Sequence, residues 1–336
     1  MRNRNSFHNQ ENNMAAVKLS ESIYYIPGGT NVGVIVCKGR IRSAKRKNLY
    51  LIDSGMDATD AERIYNELEN LFPLEKGGFC VKAIINTHGH ADHTGGNAYF
   101  VRRTRCKIWI SKIESAGILN PRLHGTVFGG GHPPKQLQIP YFLPEASDPD
   151  KIISEKSVIK LSGGKTLTFM SLPGHSFDML GVIVTDKKNE KFLFAGDAFF
   201  GSLHMMRYWI PYIYDIKKFK ETLEMLDKTN MNWYIPSHGQ PVTRISETVE
   251  LNLIALLSTE YCITAALKKH GKLSCESLLK IVADMNNISL KMAQYSLILC
   301  TIKSYLAYMQ ETGKIDFCIE ENNLLWYLTQ NEENNA

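Results

Sequence analysis

The chain has 336 residues, 44% of them hydrophobic and 22% charged, with a net charge of +5. That is enough apolar material for one large domain and a smaller one, and the modest charge gives no reason to expect a nucleic-acid partner. No run nears the ~20 apolar residues of a membrane span, and the polar N-terminus does not read as a signal peptide. Seven cysteines (Cys37, Cys80, Cys106, Cys262, Cys275, Cys300, Cys318) lie scattered with no C-x-x-C pair. Such a set reads as buried free thiols in a reducing cytoplasm rather than a disulfide framework.

In chain order, residues 1–15 are asparagine-rich and are expected to be disordered. From Ser22, three apolar runs separated by glycines and by the basic stretch Arg40–Lys47 read as a meander of strands, the third ending at Asp53. Thr59 to Phe72 places Ile64, Leu68, Leu71 and Phe72 on one helical face. Val81–Asn86 is the next strand, Asn97–Arg103 a helix, and Lys107–Ser111 another strand. Residues 120–150, dense in glycine and proline, read as a long irregular functional loop. His124 and His132 lie in it as pocket candidates, without the tight spacing of metal ligands. Strands follow at Val158–Leu161, Thr166–Leu172, Gly181–Thr185 and Phe192–Phe194. An amphipathic helix at Asp215–Asp227 precedes a short strand at Asn232–Ile235. This alternation predicts an α/β fold with mixed sheets.

Past Ser246 the pattern turns helical: Val249–Lys269, Ser274–Met285 and Ser289–Thr312, the last stopped by Gly313. Two alternating runs hinged at Glu321–Asn323 follow. Three helices and a hairpin resemble a winged-helix module, so the expected domains are 16–248 for catalysis and 249–330 for a winged-helix-like unit. The module's third helix offers Lys291 and Lys303 among mostly neutral residues, and its wing carries Asp316, Glu320 and Glu321. An acidic wing opposes phosphate contact, so packing or dimerisation fits it better than DNA.

The stretch that organises the chain is Ile84 to Asn97, I-I-N-T-H-G-H-A-D-H-T-G-G-N. A buried strand leads into four metal-ligating side chains within six positions. His88 and His90 share a side by the two-residue alternation of extended backbone, and the bend that follows can aim Asp92 and His93 at a second, neighbouring point. Three further strands end in such groups: P-G-H presents His175, A-G-D presents Asp197, and P-S-H-G presents His238. Strand ends along one edge are where layered α/β folds build sites.

With L-I-D-S-G ahead of them, T-H-G-H-A-D-H-T-G-G, P-G-H-S, G-D-A and S-H-G stand in the order of the five motifs of the metallo-β-lactamase-fold superfamily. The chain resembles its hydrolases over about residues 20–245, with a metal site similar to that of glyoxalase II. The resemblance implies an αββα sandwich with a smaller, mainly helical C-terminal domain. It implies that His88, His90 and His175 bind one metal, that Asp92, His93 and His238 bind a second, and that Asp197 bridges them, with Asp92 and Asp197 taking part in catalysis. Asp53 would orient ligands from behind. Two zinc ions per chain are expected, iron or manganese being the alternatives for a site without thiolate. The implied reaction is attack of a metal-bound hydroxide on an ester, thioester, lactone or phosphoester of a small molecule.

Two other readings of the same residues are a nucleic-acid-binding or nuclease member and an iron-dependent persulfide dioxygenase, although the latter uses fewer of the metal positions. One departure stands out: Ser176-Phe177-Asp178 follows His175 where many family hydrolases have T-x-G. His204 and Tyr208, in an aromatic-rich stretch after Asp197, are the candidates to stabilise an oxyanion. A homodimer is compatible with the sequence; a nucleic-acid partner and a membrane are not expected.

Overall fold

The computed structural model describes residues 15–39, 46–207 and 210–330. The expected N-terminal disorder (save residue 15), the basic stretch at 40–45, Tyr208 and the acidic end lie outside the described residues. The chain forms two compact units that interleave in sequence. One comprises residues 1–172, 178–197 and 230–243, the other residues 173–177, 198–229 and 244–336.

The first unit is built on two sheets. β1 (Val17–Ser20), β2 (Ile23–Ile26), β3 (Val32–Lys38) and β4 (Lys47–Ile52) run antiparallel. The sequence suggested three strands here. The fourth, β1, is a mostly solvated edge strand whose short V-K-L-S run carries little apolar alternation. α1 (Ala58–Leu71) follows, capped by the Asp57 carboxylate, which accepts the Asp60 N–H. β5 (Phe79–Ile85) then pairs parallel with β4 and leads through the one-turn α2 (Ala91–Thr94) into α3 (Asn97–Thr104). β6 (Lys107–Ile110), α4 (Glu114–Leu119), α5 (Arg122–Gly129) and β7 (Lys151–Ile152) complete a seven-stranded sheet in sequence order.

The segment 120–150 is therefore not irregular throughout. Pro121 starts α5 with a fixed φ, His124 and Phe128 lie one turn apart on its buried side, and Gly130 ends it at φ +68°. Two glycines inside the helix, Gly125 and Gly129, hid its periodicity in the sequence.

The second sheet holds β8 (Val158–Leu161), β9 (Lys165–Ser171), β10 (Leu180–Thr185), β11 (Lys191–Gly196) and β12 (Trp233–Pro236), with β12 parallel to β11. Inward side chains of both sheets, among them Ile35, Ile52, Ile85, Phe169, Val182, Phe192 and Phe194, make one core. A second core, with Ile64, Leu68, Ile84, Phe100 and Ile108, lies between the first sheet and its helices. Alternating strand residues thus serve two different layers, as the period of two requires.

The second unit is mainly helical: α6 (Ser202–Arg207), α7 (Ile216–Asp227), α8 (Ser246–His270), α9 (Cys275–Met285) and α10 (Met292–Glu311), closed by the hairpin β13 (Ile315–Glu320) and β14 (Asn323–Leu328). Its two-residue turn, Glu321-Asn322, has both φ angles positive, the conformation that matches strand twist in tight hairpins. Leu273, before α9, bridges Trp326 with backbone bonds of 3.0 and 2.9 Å. α7 packs on α8 and α10, and its Phe219, Leu223 and Leu226 are buried. α8 is long and apolar enough by composition to cross a membrane. Half of its apolar window is buried within the protein, as in the core helix of a folded unit. All seven cysteines are thiols outside any disulfide, four of them buried.

Candidate metal centre

Four strands of the first unit deliver polar side chains from their C-terminal ends: β4 gives Asp53, β5 gives the 86–93 stretch, β11 gives Asp197 and β12 gives His238. The turn that carries His93 packs backbone on backbone against the segment after β4. The Cβ of an alanine at Gly95 would sit 1.7 Å from the Met56 carbonyl oxygen, and one at Gly96 would sit 2.1 Å from that of Ser54. The paired glycines after the histidines are thus a requirement of close approach.

Hydrogen bonds fix which nitrogen each imidazole presents. Asp53 is buried, at φ +64°, and accepts the Thr87 N–H at 2.8 Å and the Thr87 hydroxyl at 2.9 Å. The same carboxylate takes the Nδ1–H of His93 at 2.9 Å. With its own proton given to Asp53, the Thr87 hydroxyl can only accept from His88 Nδ1, 3.1 Å away. One carboxylate therefore sets the tautomer of two histidines, leaving both Nε2 atoms with lone pairs. His238 is set in the same manner: its Nδ1–H meets the Gly29 carbonyl at 2.6 Å. Asn31 holds the turn around it by donating to the carbonyls of Pro236 and Gly239 at 2.8 and 2.7 Å.

The ligand atoms converge. His88 Nε2 lies 3.0 Å from His90 Nδ1. His93 Nε2 is buried with no hydrogen-bond partner among the described residues, 3.5 Å from Asp92 Oδ2 and 3.4 Å from Asp197 Oδ1. His238 Nε2 is 3.2 Å from Asp92 Oδ2 and 3.4 Å from Asp197 Oδ2. Ligand atoms of His88, His93 and Asp197 all lie within 4.8 Å of one another, as do those of Asp92, His93 and His238. Nitrogen lone pairs aimed at one another and at carboxylates repel unless a proton or a cation lies between them. Zinc–nitrogen bonds of about 2.0–2.1 Å would put such atoms at comparable separations. The donor set fits divalent metal.

Charge supports the same conclusion. Burial works against the Asp92 carboxylate, yet His93 and His238 beside it hold it well below the usual range. Burial also disfavours the charged form of His93, but Asp92, Asp197 and Asp53 outweigh it and raise that imidazole well above its ordinary value. His238, 12% exposed at its side chain, is pushed up to about 10 against the opposing effect of desolvation by Asp197 and Asp92. Without cations the carboxylates recruit protons onto the imidazoles, and metal binding would release them.

Of the residues expected from sequence, His88, His90, Asp92, His93, Asp197 and His238 come together in the first unit, with Asp53 behind them. His175 belongs to the second unit, where its Nδ1–H meets the Tyr212 carbonyl at 2.9 Å and puts the lone pair on Nε2. His132 is exposed, beside Gln138, and takes no part. In the aromatic stretch after Asp197, Phe199 and Phe200 are buried, and His204 stacks on Phe200 with ring centroids 5.1 Å apart. Tyr214 is instead exposed, paired with Phe177 at 4.4 Å.

Sequence reasoning missed Glu114. Its buried carboxylate accepts the Gly89 N–H, between His88 and His90, and the Asp178 N–H, each at 2.9 Å. A glutamate opening a short helix carries no signal that distinguishes this role from an ordinary first-turn acid. Asn31 went unnoticed for a similar reason, as a polar residue between two strands.

The family model described as "Metallo-beta-lactamase superfamily" matches residues 25–238. The chain belongs to the metallo-beta-lactamase superfamily. Among curated superfamily relatives, it is 25% identical to acyl-coenzyme A thioesterase MBLAC2 of Gallus gallus, over 58% of this chain and 73% of that protein. It is 30% identical to hydroxyacylglutathione hydrolase GloC of Haemophilus influenzae, over 46% of this chain and 62% of that one. Two solved structures share the fold over nearly their whole length. A beta-lactamase domain protein from Burkholderia ambifaria has a TM-score of 0.68 at 14% identity, covering 97% of this chain and 99% of that one. A metallo-beta-lactamase family protein from Thermus thermophilus has a TM-score of 0.66 at 15% identity, covering 94% and 98%.

Proposed function

We propose that this chain is a metal-dependent hydrolase of acyl thioesters. The observation that carries the proposal is the convergence of the lone pairs of His88, His93 and His238 on the carboxylates of Asp92 and Asp197, each imidazole fixed from behind by an oxygen acceptor. The thioester class is supported by the relatives, one named an acyl-coenzyme A thioesterase and another a hydroxyacylglutathione hydrolase. Coenzyme A and glutathione both carry acyl groups on a thiol.

In this reading His88 and His90, with His175 added by motif order, would hold one cation. Asp92, His93 and His238 would hold the other, with Asp197 contributing its carboxylate beside them. Zinc suits a set of imidazole and carboxylate donors. Bound there, a pair of cations would lower the pKa of a water and polarise the substrate carbonyl. The chain's own part is to keep Nε2 of His88, His93 and His238 deprotonated and aimed, through Asp53, Thr87 and Gly29. The Asp92 carboxylate would take the proton that the attacking water loses as its oxygen bonds the carbonyl carbon, and return it to the thiolate that departs with the C–S bond electrons.

The test is thiol release from a short-chain acyl-coenzyme A, a long-chain one and a hydroxyacylglutathione, using protein stripped by chelator and reloaded with zinc. Turnover of at least one thioester, abolished by stripping and by His93→Ala, is expected. Zinc-replete protein that releases thiol from none of them would overturn the reading.

A further inference from the structure

The imidazole of His124 is 9% exposed, and its Nδ1 is buried with no hydrogen-bond partner among the described residues. Buried polar atoms without partners are rare in folded chains, and each one costs free energy that an apolar side chain would avoid. The surroundings would accept such a side chain. Phe128 lies one turn along α5, with its ring centroid 6.4 Å away, and on the other side is the bare backbone of Gly117. A Cβ at Gly117 would stand 2.3 Å from His124 Nε2, so that glycine makes room for this ring.

The position also borders the metal centre. The His124 ring meets the His90 ring edge-on, with centroids 5.9 Å apart and an interplanar angle of 85°, and Phe128 packs on His90 at 5.6 Å. At the C-terminal end of α5, Gly130 and Gly131 have open space where a Cβ would be. An imidazole whose buried Nδ1 lacks a partner, beside a candidate ligand on a short helix that ends in two glycines, is arranged for a partner that arrives with the substrate.

Coenzyme A and glutathione share one group close to the reacting bond: an amide N–H on the second carbon from the thiol sulfur. We propose that His124 contacts the substrate, its Nδ1 accepting a hydrogen bond from that amide N–H while the acyl thioester occupies the metal centre. The inference rests on the thioester-hydrolase reading above. It makes His124 a specificity residue for the carrier, with α5 shifting to bring the amide within reach.

The experiment compares two thioesters of the same acyl group, one of N-acetylcysteamine, which has the amide, and one of butanethiol, which lacks it. Zinc-loaded full-length protein is measured alongside His124→Phe and His124→Asn. The parent should prefer the amide-bearing ester at least tenfold in kcat/KM. His124→Phe should lose that preference, keep its zinc and unfold at the same or a higher temperature, and His124→Asn should restore part of the preference. Calorimetry with the uncleavable thioether analogue of the N-acetylcysteamine ester should show at least tenfold weaker binding to His124→Phe. A parent that hydrolyses no thioester would sink the functional reading, and this inference with it. An active parent whose His124→Phe variant keeps the full preference and the full analogue affinity would overturn this inference alone.

Discussion

Asp53 Oδ2 and His93 Nδ1 are 2.9 Å apart in a fully enclosed pair, and the same oxygen also takes the Thr87 hydroxyl. Through Thr87 the contact extends to His88, so one carboxylate aligns a histidine of each proposed metal point. Asp53→Asn tests this cleanly, because asparagine tolerates the positive φ at that position. An amide has one acceptor where three donors converge, so its NH2 must face a donor. Metal affinity should fall by about 10–100-fold at both points, measured by competition with a chromogenic chelator. Unchanged affinity at either point would show that Asp53 does not orient that histidine.

Glu114→Gln should separate the His88–His90 turn from the rest of the cluster. The variant can accept only one of the two backbone N–H groups that the carboxylate now holds. The expected cost is about 2 kcal/mol of unfolding free energy in urea, the scale of a hydrogen bond to a charged group. One cation should be held more weakly, while the other keeps its affinity.

The paired glycines give a prediction about folding rather than chemistry. Gly96→Ala would drive a methyl group into the Ser54 carbonyl, where neither side is a flexible side chain. A loss of about 3 kcal/mol or more is expected, with poor soluble yield. Gly131→Ala, with nothing within 4 Å, is the control and should unfold like the parent in the same melting experiment.

Burial pushes the Cys275 thiol up to about 12, and it raises Cys37 and Cys106 above the ordinary thiol range as well. The thiolate is the nucleophile, so these groups stay protonated and inert from pH 7 to 9, and reactivity rises only as pH climbs towards the raised values. Iodoacetamide labelling read by mass spectrometry should leave all three unmodified in native protein and modify them in urea. Native labelling of Cys275 at pH 8 would contradict its burial.

Much of the site was legible because its residues are dense and ordered along the chain. Four candidate ligands in six positions after a buried strand carry their own signal, and D-S-G, G-D-A and S-H-G each sit at a strand end that the apolar runs had already placed. The supporting residues were not legible. Glu114, Asn31 and the hydroxyl of Thr87 act through hydrogen bonds to distant segments, and no local periodicity records a contact across 25 or more residues. α5 was hidden by its own glycines. The interleaving of the two units was hidden too, since buried partners of Phe200 and Ile213 are supplied by Asn252 and Thr301, far along the chain. Asn252 grips the Phe200 backbone at 3.0 and 2.8 Å, and Thr301 takes the Ile213 N–H at 3.1 Å.

The central claim is that these side chains form two adjacent metal points, and metal content tests it most directly. Protein stripped by chelator, dialysed against zinc and freed of excess should be measured by inductively coupled plasma mass spectrometry. The account predicts about two zinc ions per chain, falling to about one in Asp92→Ala and leaving His132→Ala unchanged. A parent chain that retains fewer than one, or an Asp92→Ala variant that retains two, would contradict it.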